Sequence, residues 1–158
     1  MQQNKSSIRV RFIQECGDIK LDAVGLAKMV RRLCPRFGVR KATLSIAIVG
    51  DDEIRRINTR FLGRRRSTDV ISFDLSDGAE TGKVFELVVN AQKAQKEARL
   101  RHHDARSELA LYIVHGLLHN LGFDDADEEQ ACKMHAVEDD ILQEFGYGRV
   151  YTAGSGNL

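Results

Sequence analysis

Two histidines one helical turn apart, followed by a pair of acids, are the residues of this sequence best able to do chemistry. They lie in His115-Gly116-Leu117-Leu118-His119-Asn120-Leu121-Gly122-Phe123-Asp124-Asp125. The run before them, Leu109-Ala110-Leu111-Tyr112-Ile113-Val114, has no glycine, proline or polar break, which predicts a buried helix. An i, i+4 spacing puts both imidazoles on one face of that helix, close enough to share a metal ion. Gly122 falls where a helix takes a left-handed C-terminal residue, so the chain stops there, folds back and brings Asp124 or Asp125 to the histidines. The pattern is H-x3-H-x5-D. His115, His119 and Asp125 would give three protein ligands and an open fourth position, as a catalytic zinc requires. The competing reading makes the histidines hydrogen-bonded core residues and Asp125 the N-cap of a helix beginning near Asp127-Glu128-Glu129.

The elements that must position this site alternate between strand and helix. Ile8, Val10 and Phe12 alternate with Arg9 and Arg11, the period-two pattern of a half-exposed edge strand. From Asp22, apolar residues recur at helical spacing to Leu33, and Pro35 ends the helix. Leu44, Ile46 and Ile48 alternate in a second strand closed by Gly50, and Asp51 or Asp52 caps a short helix with Ile54, Ile57 and Phe61 inward. Thr68 to Phe73 and Val84 to Asn90 read as third and fourth strands joined by a hairpin-like return, with Glu86 in a structural role such as a bulge. A helix with Ala91, Ala94 and Ala98 on one face runs to about Leu100, and the central helix opens at Ser107-Glu108. The last helix runs from about Asp127 to Phe145, with His135 and Glu138 as interior candidates for orienting the site. His102 and His103 are expected on the surface. The expected fold is α/β: a mostly parallel four-stranded sheet covered by helices, with Leu109 to Leu121 as the central buried helix.

The whole-chain numbers bound the function. A length of 158 residues suits one domain, taken as 1–158 with an unstructured tail at 152–158. A hydrophobic fraction of 42% and a charged fraction of 30% belong to an ordinary globular protein, and no apolar run is long enough to span a membrane. The first residues, Met1 to Lys5, lack the apolar core of a secretory signal. Cys16, Cys34 and Cys132 form no C-x-x-C pair, which fits core or inert thiols in a reducing cytoplasm. The net charge of +1 excludes overall basicity as a reason to bind nucleic acid, so such binding must come from a local patch. The only dense one is Arg60-Phe61-Leu62-Gly63-Arg64-Arg65-Arg66, which runs into the third strand. Arg60, Arg64, Arg65 and Arg66 are its candidate phosphate contacts, against the alternative of a solvated loop.

Thr68-Asp69-Val70-Ile71-Ser72-Phe73, followed by the histidine segment, resembles the YbeY family of bacterial metal-dependent endoribonucleases, over about Asn58 to Phe145. The family pattern is close to H-G-x-L-H-x-x-G-[FY]-D-H, and its three histidines bind zinc. His115 and His119 match the first two, Asp124 matches the aspartate and supports the ligands, and Asp125 replaces the third histidine. The family's arginine six residues before the threonine falls at Leu62, flanked by Arg60 and Arg64, and Phe85-Glu86 stands where many members have glycine and an acid. The resemblance implies a cytoplasmic, monomeric endoribonuclease with one zinc ion per chain. Its implied substrate is single-stranded RNA in ribosomal RNA maturation at the small ribosomal subunit, with neither DNA nor membrane as partner.

Two histidines and a carboxylate around a divalent ion suit phosphodiester hydrolysis, because such an ion acidifies water and polarises a phosphoryl oxygen. A metalloprotease would place glutamate directly after the first histidine, where this sequence has Gly116. A third possibility keeps the fold and metal for ribosome assembly without catalysis.

Overall fold

The computed structural model describes residues 5–78 and 82–148, so the expected tail at 152–158 lies outside the described residues. In order, the elements are β1 (Ser7–Gln14), α1 (Ala23–Arg36), β2 (Lys41–Val49), α2 (Asp51–Leu62), β3 (Val70–Asp74), β4 (Lys83–Asn90), α3 (Ala91–Arg101), α4 (Ala105–Asn120) and α5 (Glu128–Glu144). The strands form one sheet in the order β1-β2-β4-β3. β1 and β4 both pair with β2 in parallel, whereas β3 pairs with β4 antiparallel, Val70 opposite Val89 and Phe73 opposite Glu86. The sheet is therefore mixed, which corrects the mostly parallel expectation. The hairpin-like return between β3 and β4 is the cause, since a short link without a crossover helix can only join antiparallel neighbours.

Leu44, Ile46, Ile48, Phe85, Leu87 and Val89 project from one face of the sheet into the main core with α1, α3 and α4. On the other face α2 covers a smaller group, Val49, Ile54, Ile71 and Val88, with Ala47, Ile57 and Phe73 at its margin. Helix α4 is apolar on every side and lies inside the molecule, with Leu109, Ile113 and Leu117 wholly buried. It begins earlier than Ser107, because the Asp104 carboxylate accepts the Arg106 N–H and caps the helix there. It meets the sheet at Gly116: a Cβ there would lie 2.8 Å from Val70 Cγ2 and 3.0 Å from Ser72 Oγ. The Ser72 hydroxyl donates to the Gly116 carbonyl at 2.8 Å, fixing the histidine-bearing turn against β3.

Other local expectations need correction. The N-cap of α2 is Gly50, with no side-chain cap hydrogen bond, rather than Asp51 or Asp52, because both acids already lie inside the helix. Helix α1 runs one residue past Pro35, ending at Arg36. Phe61 is 61% exposed rather than inward, because α2 carries it beyond the covered part of the sheet. Glu86 is not in a bulge: it pairs regularly with Ser45 and Phe73. His103 turns inward to the buried Glu108, its Nε2 at 2.5 Å from Oε2, while His102 ends α3 in a left-handed conformation at φ 56°. Cys34 is buried as expected, whereas Cys132 is exposed.

Candidate metal centre

His115 and His119 project from the last two turns of α4, and their Nε2 atoms lie 3.2 Å apart. After α4 the chain turns at Gly122, whose φ of 100° only glycine adopts readily, and Phe123 packs edge-on against Phe37 at 4.9 Å. The turn carries Asp125 back, so that its Oδ2 is 3.6 Å from both imidazole Nε2 atoms. Asp124 points elsewhere. Its Oδ1 accepts the N–H groups of Asp125 and Ala126 at 2.7 and 3.2 Å, so it shapes the backbone that presents Asp125. The competing N-cap role belongs to Asp127, whose carboxylate accepts the Gln130 N–H at 2.7 Å.

The hydrogen bonds behind the histidines fix their tautomers. His115 Nδ1 donates to Glu138 Oε1 at 2.7 Å, and His119 Nδ1 donates to the Phe123 carbonyl at 3.2 Å. Both partners can only accept, so both Nδ1 atoms carry the proton and both Nε2 lone pairs face each other and Asp125 Oδ2. Three such atoms that close repel unless a proton or a metal cation lies among them. Their separations of 3.2, 3.6 and 3.6 Å suit the metal. Ligands held about 2.0–2.1 Å from a tetrahedral zinc stand roughly 3.3 Å apart. The residues present therefore fit a divalent ion. Burial pulls the His115 pKa down, but the hydrogen bond and charge of Glu138, itself 1% exposed, outweigh it and hold the pKa above the ordinary histidine value.

The three atoms open into a cleft of about 560 Å³ between α4, β3 and the loop after α2. Of the four arginines singled out in the sequence, Arg64 and Arg66 line this cleft. Arg60 instead lies over the Phe61 ring at 5.4 Å, and Arg65 is exposed. The loop is tied to α2 at both ends: the Arg64 N–H donates to the Asn58 carbonyl at 3.2 Å, Asn58 Nδ2 donates to the Arg66 carbonyl at 2.8 Å, and the Ser67 hydroxyl donates to Asp51. Leu62 lines the cleft as well. The residue that sequence reasoning missed is Lys93, which lines the same cleft as Arg64 and Arg66. It is half-buried near the start of α3, where Asn90 accepts its N–H at 3.0 Å, and it makes no ion pair among the described residues. Its neighbours Gln92, Gln95 and Lys96 read as an ordinary solvated helix, so no signal in the sequence singles it out. His135 lines a separate cavity behind His115, with Glu138 and Glu108.

Comparison with known proteins gives this geometry a context. A solution structure of a Thermotoga maritima protein superposes with a TM-score of 0.56 at 22% identity, covering 88% of this chain and 91% of the other, which establishes a shared fold. Proteins named endoribonuclease YbeY are similar in sequence. The one from Hydrogenovibrio crunogenus is 35% identical over 68% of this chain and 72% of its own length. That from Bacillus licheniformis is 34% identical over 90% and 98%. The endoribonuclease YbeY family profile matches residues 12–146, a span that holds the histidine turn, the arginine loop and the sheet between them, so the chain belongs to the YbeY family of endoribonucleases.

Proposed function

We propose that the protein is a metal-dependent endoribonuclease acting on single-stranded RNA in ribosomal RNA maturation, with one zinc ion held by His115, His119 and Asp125. The observation that carries this reading is the convergence of three lone-pair donors, 3.2 to 3.6 Å apart, at the floor of a cleft walled by Arg64, Arg66 and Lys93. A divalent ion bound there supplies Lewis acidity toward a phosphoryl oxygen and a nucleophile from water at neutral pH.

The protein's own residues do the rest. Glu138 and the Phe123 carbonyl hold the imidazoles in the tautomer that leaves Nε2 free. Asp124 fixes the turn that brings Asp125 within reach. Arg64, Arg66 and Lys93, all lining the cleft, offset the negative charge of Asp69 and Asp125 there, so a phosphate can enter it. Asp125 supplies an anion where the family has a neutral imidazole. It lowers the net charge of the centre by one and makes the ion a weaker Lewis acid. No helix among the described residues is long and apolar enough to cross a membrane.

A proteolytic role is opposed by Gly116, since its position directly after His115 is pressed against β3 and β4 and leaves no room for a general-base side chain. An assembly factor without catalysis is the remaining rival, favoured by the apolar Leu62 in the cleft. The chain purified without a metal-affinity tag should contain about one zinc per molecule and cleave single-stranded RNA, and His115→Ala/His119→Ala should do neither. Stoichiometric zinc with no cleavage by the parent would favour the assembly factor, and absence of zinc would refute the centre itself.

A further inference from the structure

We propose that the half of the sheet left open by α2 is a platform for single-stranded RNA, continuous with the metal cleft; this rests on the endoribonuclease reading above. The residues on the α2 side of the sheet alternate with those of the main core. In β1 they are Arg9, Arg11 and Ile13, in β2 Thr43, Ser45 and Ala47, in β4 Val84, Glu86 and Val88, and in β3 Ile71 and Phe73. Helix α2 packs on Ala47, Val88, Ile71 and Phe73 and stops there. Starting at its margin on Phe73, the residues Phe73, Glu86, Ser45 and Arg11 form one row across all four strands, roughly 14 Å long at the usual strand spacing. Arg9 stands two residues further along β1, about 6.6 Å from Arg11.

The surface composition points to a nucleic acid strand. Four large apolar side chains more than a third exposed collect on this face: Ile13 (49%), Phe61 (61%), Leu75 (54%) and Val84 (38%). Phe61 and Phe73 meet edge to face at 5.8 Å, and the Arg60 guanidinium lies over Phe61. Arg11 reaches across to Ser45 Oγ at 3.1 Å, which lays its guanidinium along the sheet. Three arginines, none in an ion pair among the described residues, stand on or beside a face whose paired strand residues include one acid, Glu86. Aromatic rings beside cations are what a base and its phosphate need together, and stacking on them tolerates any sequence.

The face also adjoins the cleft. At the end of α2, Asn58 and Leu62 line the cleft while Ile57 and Phe61 lean on the sheet, so a single helical turn separates the two surfaces. β3 is an edge strand, and the start of the same strand lines the cleft. A strand of RNA leaving the metal centre across β3 therefore meets Phe61 first, then Phe73, then Arg11 and Arg9. An acidic protein is the rival occupant; it would use the charge but has no need of the adjacency to the cleft.

The test compares a short single-stranded RNA of about 5 nucleotides, enough for the cleft, with one of about 15 that also reaches the sheet. The parent should bind the longer RNA at least about fivefold more tightly. Arg9→Ala/Arg11→Ala alters two exposed side chains far from the metal centre. It should cancel that gain, lower the salt slope of long-RNA binding by about 1.4 (roughly 0.7 for each phosphate contact), and leave binding and cleavage of the short RNA unchanged. Equal affinity of the parent for both lengths, or unchanged long-RNA affinity in the variant, overturns the platform. The second result leaves the face to a protein partner. Failure of the parent to bind or cleave either RNA would instead strike at the endoribonuclease reading, a result the platform variants cannot mimic.

Discussion

Gly116→Ala tests whether close contact between α4 and the sheet holds the histidine turn in place. The added methyl would sit 2.8 Å from Val70 Cγ2, 3.0 Å from Ser72 Oγ and 3.1 Å from Leu87 Cδ2. These neighbours belong to two strands, so no single rotamer change relieves all three, and α4 must back away by about 0.6 Å to reach ordinary contact. Two effects oppose each other. Alanine gains about 1 kcal/mol in a helix interior relative to glycine. Overpacking a filled interface costs about 1–3 kcal/mol, and stretching the Ser72 to Gly116 hydrogen bond adds up to about 1 kcal/mol. The expected net loss is about 1–2 kcal/mol. For a chain of this size that is a fall in Tm of roughly 2–8 °C. Metal binding should suffer separately. Asp125 is anchored partly through Phe123 on Phe37 and His115 partly through Glu138 on α5, so a shift of α4 distorts the ligand triangle. Metal sites tolerate about 0.2 Å, so zinc affinity should drop by about tenfold or more. Thermal melting of the metal-free chain and zinc titration against a chelating dye read the two effects. A Tm that rises by 2–4 °C with unchanged zinc affinity is the behaviour of an exposed helical glycine, and would refute this account of the site.

Asp125→Ala should weaken zinc binding by more than the roughly 10- to 100-fold typical of a supporting residue while leaving the Tm of the metal-free chain unchanged, because Asp127 caps α5. Full zinc occupancy in that variant would remove Asp125 from the ligand set. Asp125→His should keep the metal and lower the pH at which cleavage reaches half its maximum, since a neutral ligand leaves more charge on the ion; a pH profile identical to the parent's would contradict this. Lys93→Ala should weaken RNA binding and reduce its salt slope by about 0.7 with zinc content intact, whereas an unchanged slope would return Lys93 to the solvent. The Asp51 carboxyl is held at about 2 by hydrogen bonds from Arg55, then Ser67, then Asn90. A folded pKa below the ordinary 3.8 stabilises the protein above about pH 4, and that contribution is lost as pH falls toward 2. Asp51→Asn should therefore flatten the acid limb of a urea-midpoint curve between those values, and an equally steep limb would exclude Asp51 as its source.

Much of the fold was legible because burial imposes a period on the chain. Ile8, Val10 and Phe12 alternate since β1 is covered on one face only, and the unbroken run in α4 reflects a helix surrounded on all sides. The direction of β3 was harder to read. Its apolar residues look alike whether the strand runs parallel or antiparallel, and only the short link to β4 distinguishes the two. Phe61 shows a different limit. It continues the Ile54 and Ile57 stripe at helical spacing, but a periodicity cannot say where the opposing sheet ceases to be covered.

The candidate metal site divides along the same line. His115, His119 and Asp125 could be read from the sequence because one helix and one turn place all three, and helical geometry converts spacing into distance without help from the rest of the fold. The walls of the cleft could not be read that way. Four arginines lie within seven residues, yet Arg64 and Arg66 face the cleft because Asn58 and Asp51 tie their loop down, while Arg60 leaves with the Phe61 ring. Charge density in a sequence carries no direction. Lys93 lies more than twenty residues from either the arginines or His115, and joins them in the cleft only because β4 lies beside β3 and runs directly into α3. A cluster carried by one helix and the turn that follows it is thus a local property of the chain. A cleft assembled from the loop before β3, the start of α3 and the end of α4 is not, and its cations become visible only once the strands have been placed.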